Sequence, residues 1–146
     1  MISRIEFVFY GEPVAQGRPR FTMRSGYARA YDPEKSRRYK DALRQEVKDR
    51  MAGRAPLEGA LVLQVRIYRS IPKAFSKKKA DMAERGLLRP ETRPDVDNYV
   101  KGIKDALNGI CWKDDSQIVA YAEPFGKYYS REPRVEVAVW RMEEEA

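Results

Sequence analysis

Between Arg93 and Asp115 the chain reads RPDVDNYVKGIKDALNGICWKDD, a stretch holding five aspartates and three lysines. Asp95 and Asp97 are two apart, so in an extended chain they point to opposite sides. They converge only if the chain turns into a helix between them, with Asp97 at the cap. Lys101, four residues on, then shares a helix face with Asp97, and Asp105 lies one further turn along. Asp114 and Asp115 return after Gly109 has turned the chain back toward a strand. Clustered carboxylates suit hard cations such as Mg²⁺ or Mn²⁺. Such ions hydrolyse phosphodiesters by aligning a water and neutralising transition-state charge. Carboxylates brought together without a cation repel, which raises a pKa. Lys101 can orient the water, balance the acids or contact the scissile phosphate. A plainer reading fits the same residues: Asp97 as an N-cap, Asp95 as a turn former after Pro94, and Asp114-Asp115 as a polar loop. Spacing leaves both open.

Composition narrows the chemistry. The 146 residues contain no histidine and one cysteine, Cys111. Ser-His and Cys-His nucleophilic sites are therefore excluded, as are histidine- and thiolate-ligated zinc sites. Any metal must be held by oxygen. An internal disulfide is impossible, there is no long apolar run and no secretory leader pattern, so a soluble cytoplasmic protein with no membrane partner is expected. Cys111 is most simply a small buried apolar side chain. The net charge of +7 is unevenly spread: residues 1–54 carry +6, 55–90 carry +5, and 91–146 carry −4. A basic front followed by an acidic remainder suggests a polyanion surface around an acidic pocket. Glu143-Glu144-Glu145 reads as a solvated end.

The elements that would position these residues form one domain. Residues 2–10 alternate Ile5, Phe7 and Phe9 against Glu6, Val8 and Tyr10, a strand signal. Residues 11–31, rich in Gly, Pro and Arg, read as a long loop or irregular hairpin. Asp32-Pro33-Glu34 starts a helix carrying Tyr39, Ala42, Leu43, Val47 and Met51, stopped by Gly53. Residues 60–69 place Leu61, Leu63, Val65 and Ile67 on one strand face, and 76–85 form a short polar helix. A helix over about 97–108 buries Tyr99, Val100, Ile103 and Leu107. Strands over about 117–122 and 134–141 follow. The fold class is α+β, with helices packed on a mixed β-sheet in a single domain spanning 1–146.

The run Asp95-Val96-Asp97-Asn98-Tyr99-Val100-Lys101, then Asp105-Ala106-Leu107, then Trp112-Lys113-Asp114-Asp115-Ser116-Gln117-Ile118-Val119, resembles the signature of RusA-type Holliday junction resolvases. That signature is D-x-D-N-x-x-K, a D-A-L helix, and W-x-D-D-x-Q-V leading into a strand. The close match covers about 25 residues, with looser agreement elsewhere. The resemblance implies that the three essential aspartates fall on Asp95, Asp97 and Asp115, as metal ligands, and the lysine of the catalytic region on Lys101. The connection Asn108-Gly109-Ile110-Cys111 is one residue shorter than the family pattern, which bears on Asp114 against Asp115; alignment through Ser116-Gln117 favours Asp115.

The early loop, with Gly11-Glu12-Pro13 and Gln16-Gly17-Arg18-Pro19-Arg20-Phe21, is similar to the first loop of Gram-positive and phage members. Arg18 and Arg20 suit bidentate phosphate contacts. Arg93 and the run Lys77-Lys78-Lys79 are further candidates for DNA binding, although lysine runs are commonly solvated faces. Trp112 and Phe75 are candidate wedges at an opened junction, or else core or dimer contacts. The implied activity is Mg²⁺-dependent resolution of four-way DNA, Mn²⁺ being a substitute, by paired nicks from a homodimer whose symmetry matches the junction. Three rivals stand beside it. A restriction-type nuclease core fails at Lys101, which reads as helical. A branched-DNA binder would use the aspartates as caps only. A two-carboxylate glycosidase does not call for so basic a front.

Overall fold

The computed structural model describes residues 3–16, 20–22, 27–29 and 33–143. Its central feature is a mixed sheet. Strand β1 (Arg4–Tyr10) pairs antiparallel with β7 (Arg134–Arg141), which pairs antiparallel with β4 (Leu61–Ser70). The far edge of β4 is shared by two short parallel partners: β5 (Ile118–Tyr121) along its first half and β6 (Gly126–Ser130) along its second. Strands β2 (Arg20–Thr22) and β3 (Tyr27–Arg29) form a separate antiparallel ribbon within the arginine-rich segment. The mixed sheet and its helices agree with the α+β expectation.

Register explains the core. Phe7, Val137 and Val65 stand opposite one another across three strands, as do Ile5, Val139 and Leu63. Leu61, Leu63, Val65 and Ile67 are all fully buried, because one face of β4 lies under the helices. Helix α1 (Pro33–Met51) contributes Leu43, Val47 and Met51 to that core, and α3 (Val96–Leu107) contributes Tyr99, Val100, Ile103, Ala106 and Leu107. Ala42, expected on the buried side, is exposed; the inward stripe of α1 runs through Ser36, Leu43, Val47 and Met51. Helix α2 (Lys77–Glu84) is short and polar, as its composition suggests, and lies against β6.

Strand β6 was not expected from sequence. Pro124 and Gly126 break the periodic pattern in front of it, and GKYYS has no apolar alternation. It forms because the backbone rejoins the edge of β4, with Gly126 opposite Arg66 and Ser130 opposite Ser70. Gly126 has φ +143°, a backbone conformation that L side chains rarely adopt, so glycine is favoured there.

The relative placement of α1 and α3 is fixed by a side chain. Arg44 Nη1 donates to the carbonyls of Ala106 (3.1 Å) and Asn108 (2.9 Å), satisfying groups that the end of α3 leaves without partners. No described helix is long and apolar enough to cross a membrane. Leu63→Ala is expected to destabilise the fold by about 2–5 kcal/mol, whereas Leu87→Ala, at an exposed position, changes stability by less than about 0.5 kcal/mol. Chemical denaturation measures both; equal effects would contradict this location of the core.

Candidate active site

The site is assembled at the start of α3. The helix begins at Val96, so Asp95 is its N-cap and Asp97 lies in the first turn, which puts the cap two residues before the expected one at Asp97. The Asp95 carbonyl accepts from the backbone N–H groups of Asn98 (3.2 Å) and Tyr99 (3.3 Å), while its carboxylate makes no capping bond. That carboxylate is therefore not consumed by helix termination. Asp97 and Lys101 are exposed one turn apart, and Asp105 continues the same face. The α3 N-terminus favours negative charge beside it.

The loop before α3 is pinned from across the sheet. Lys127 Nζ donates to the carbonyls of Thr92 (2.9 Å) and Pro94 (3.1 Å), and Arg69 Nη1 donates to Thr92 at 2.9 Å. Partial burial, then the nearby Arg69 charge, lowers the Lys127 pKa below the ordinary lysine range; Asp95 opposes that shift. Lys127 belongs to the unexpected strand β6, and sequence spacing gives no hint of its contact with residues 92–94.

The second half of the site is the turn after α3. Gly109, at φ +82°, lets the chain reverse, and its N–H donates to the Trp112 carbonyl at 2.7 Å. Two adjacent aspartates then divide the work. Asp114 caps the short 3₁₀ turn Asp115–Gln117: its Oδ2 accepts from the Ser116 N–H at 2.9 Å. Hydrogen bonds from Ser116 hold the Asp114 carboxyl below the usual carboxylate range. Gln117 Oε1 accepts from the N–H groups of Lys113 (2.8 Å) and Asp114 (3.1 Å), and its Nε2 donates to the carbonyls of Leu57 and Gly59 (both 3.1 Å). Asp115 faces the other way. Its Oδ1 accepts from Trp112 Nε1 at 2.8 Å and Asn108 Nδ2 at 2.9 Å.

These elements surround an open cleft of about 320 Å³. Asp97, Lys101, Lys104 and Asp105 line it from α3, Asp115 from the turn, and Tyr121 and Phe125 from the interrupted sheet edge. Val100 forms part of its floor. Asp105 is also tied to α1 through Lys40 Nζ at 3.7 Å, which gives it a bridging role. Asp95 stands at the helix cap and is not among the lining residues. Among the described residues, no three acidic side chains stand close enough to form a ready metal cage. The donor set is all oxygen, which fits a hard divalent ion. Cys111 is fully buried and its thiol is pushed up to about 12 by that burial, so it offers no thiolate.

The other candidates are dispersed. Arg93 is exposed in the loop before α3. Lys77, Lys78 and Lys79 are exposed at the start of α2, away from the cleft lining; Lys79 Nζ stands 4.2 Å from the Phe75 ring centroid. Arg18 lies outside the described residues, and Arg20 is described only as the backbone opening β2. The Gln16 N–H bonds to the Asn98 carbonyl at 3.1 Å, which holds residue 16 against α3. Trp112 is fully buried and is not a wedge; Phe75 is half-buried against Tyr129. The cleft aromatics Tyr121 and Phe125 were missed because tertiary contacts alone bring them to the site, whereas Lys104 was within reach of helical spacing, three residues after Lys101 on α3.

Two comparisons with known proteins agree. An uncharacterized protein of Bacillus subtilis (strain 168), YqaN, is 50% identical over 137 residues, covering 92% of this chain and 94% of that protein. The family model for endodeoxyribonuclease RusA matches residues 10–140, a span that takes in α3, the 3₁₀ turn and the whole cleft. That family indicates a DNA-binding endonuclease that resolves Holliday junctions and suggests a divalent metal cofactor. This chain belongs to the RusA endodeoxyribonuclease family.

Proposed function

We propose that this protein resolves four-way DNA junctions by Mg²⁺-dependent phosphodiester hydrolysis, acting in the cytoplasm as a homodimer that makes paired symmetric nicks. The observation that carries the reading is the convergence of Asp97 and Lys101, from α3, with Asp115, from a separate turn, on one polar cleft inside the family match. Asp95, Asp97 and Asp115 are the proposed metal ligands, with Mn²⁺ as a substitute. Bound there, the ion would supply Lewis acidity and charge neutralisation. Asp115 lines the cleft while Trp112 and Asn108 hold its Oδ1. Bringing Asp95 to the pair is coupled to cation binding, because three carboxylates otherwise repel. Lys101 contacts the scissile phosphate. The placement of Asp97 and Lys101 on a helix, not a strand, is unlike a restriction-type core.

Phosphate contacts from Arg18, Arg20, Arg93 and Lys77–Lys79 would hold the arms, making affinity fall steeply with salt. A junction is close to two-fold symmetric, and a dimer carries one site for each of two opposed strands.

Incubation with a synthetic four-way junction and with linear duplex, with and without Mg²⁺, tests the reading. Paired nicks in the junction with Mg²⁺ are expected; a junction bound but uncut would identify a non-catalytic branched-DNA binder. Asp95→Asn, Asp97→Asn and Asp115→Asn should each abolish cleavage while junction binding persists, and a set of variants that all still cut would break the ligand assignment. Lys101→Ala should slow cleavage by about 10²–10³-fold, the range for loss of one transition-state donor; a wild-type rate would make it a structural residue. Asn108→Ala should weaken divalent-ion affinity by about 10–100-fold, as for other outer-shell partners; calorimetry showing no change would mean that Asn108 orients nothing the ion senses. Asp115→Ala, unlike Asp115→Asn, leaves the buried Trp112 N–H without its acceptor and should cost about 1–3 kcal/mol of stability; equal melting of the two variants would contradict that bond.

A further inference from the structure

Two aromatic rings on the cleft wall have no part in metal or phosphate chemistry. Tyr121 is 53% exposed, and its ring stacks on Phe125 with centroids 4.6 Å apart and planes 20° from parallel. Both line the cleft beside Asp97, Lys101 and Asp115. Lys104 Nζ stands 5.9 Å from the Tyr121 centroid.

Ordinary strand alternation would not put Tyr121 there. Counting from Ile118, which packs against the core, an unbroken strand would send Tyr121 to the opposite face. The pairing with β4 is irregular: Ile118 stands opposite Leu61, Ala120 opposite Val62, and Tyr121 opposite Leu63. Three steps along β5 thus match two along β4. Opposed residues share a face, and Leu61 and Leu63 both point to the helix side. The extra residue is a bulge that re-aims Tyr121 toward α3 and the cleft. The edge then leaves β4 and rejoins it at Gly126, and Phe125, at the end of that excursion, lies against Tyr121. Two irregularities in one edge therefore set the exposed Tyr121 ring on the half-buried Phe125, which also packs against the core, next to the carboxylates. The core gains little from a tyrosine that remains more than half exposed.

We propose that the Tyr121–Phe125 stack is a platform for an unpaired nucleobase adjoining the scissile phosphate, an inference that rests on the nuclease reading above. Every base offers a π-face to an aromatic ring, so the platform is tolerant of sequence. Lys101 and Lys104 line the same cleft from α3 and suit the phosphates on either side of that base. A base at a crossover leaves its stack more readily than one inside a duplex, since unpaired or disturbed positions carry a smaller unstacking penalty. The platform thereby favours branched over linear DNA at the cleavage step.

The test uses junctions carrying 5-iododeoxyuridine on either side of the cut, irradiated in complex with the wild-type protein in EDTA. Crosslinks mapping to the peptide containing Tyr121 and Phe125 are expected; crosslinks confined to other regions, or none, would overturn the platform. A second measurement replaces the nucleoside beside the cut with an abasic site. Wild-type cleavage should fall by between about five- and a hundred-fold, corresponding to loss of one base–aromatic stack. Tyr121→Leu should show a similar loss on the intact junction and no further loss on the abasic one, while Tyr121→Phe restores the sensitivity to the abasic site. Independent, additive losses in Tyr121→Leu would contradict the contact. Wild-type protein that cuts no junction in Mg²⁺ or Mn²⁺ would refute the nuclease reading, and the crosslinking, which needs only binding, would still decide the platform.

Discussion

The indole of Trp112 is fully buried, and its Nε1–H, the side chain's one hydrogen-bonding group, is directed at Asp115. A buried N–H without an acceptor is costly, so the core requires an acceptor oxygen at that point. The same bond fixes Asp115, which enters the cleft from the opposite side. Core packing and site geometry are thus set by one contact. The surrounding turn is built to hold it: Gln117 bonds to the carbonyls of Leu57 and Gly59, the Leu57 N–H donates to the Cys111 carbonyl, and Arg44 ties the end of α3 to α1. Asp114, adjacent in sequence, is occupied as a cap and leaves Asp115 to face the cleft.

The opposite side of the site depends on β4. Its fully buried face supports α3, and its edge carries β5 and β6 in succession. The gap between those strands supplies Phe125, and the start of β6 supplies Lys127, which reaches back to the carbonyls before Asp95. A continuous edge strand would bury its hydrogen bonds more completely but would lose both features. Charge is arranged in a similar division, with the acidic residues of the cleft in a chain whose first ninety residues are strongly basic.

Much of this was legible in the sequence. The i, i+4 spacing of Asp97 and Lys101, the apolar stripe of α3 and the alternation of Leu61, Leu63, Val65 and Ile67 are local patterns, and they survive folding unchanged. What was hidden depends on pairing between distant segments. The β5 bulge that turns Tyr121 inward is defined only by its register against β4, and β6 has no periodicity of its own. The cap fell at Asp95 and not at Asp97, a two-residue difference that local propensity does not resolve. Trp112 shows the same limit from the other direction: a large aromatic near acidic residues suits either a wedge or a core, and only its burial decides. The choice of Asp115 over Asp114 rests on family resemblance; in the fold Asp114 accepts from the Ser116 N–H and Asp115 from the Trp112 indole.

Whether these carboxylates hold a divalent ion is most directly tested by anomalous diffraction at the manganese edge, from crystals of the protein grown with Mn²⁺. A peak in contact with both Asp97 and Asp115, with Asp95 drawn toward it, is the expected result. Manganese bound only elsewhere, with the Asp97–Asp115 cleft holding none at saturating concentration, would contradict the assignment.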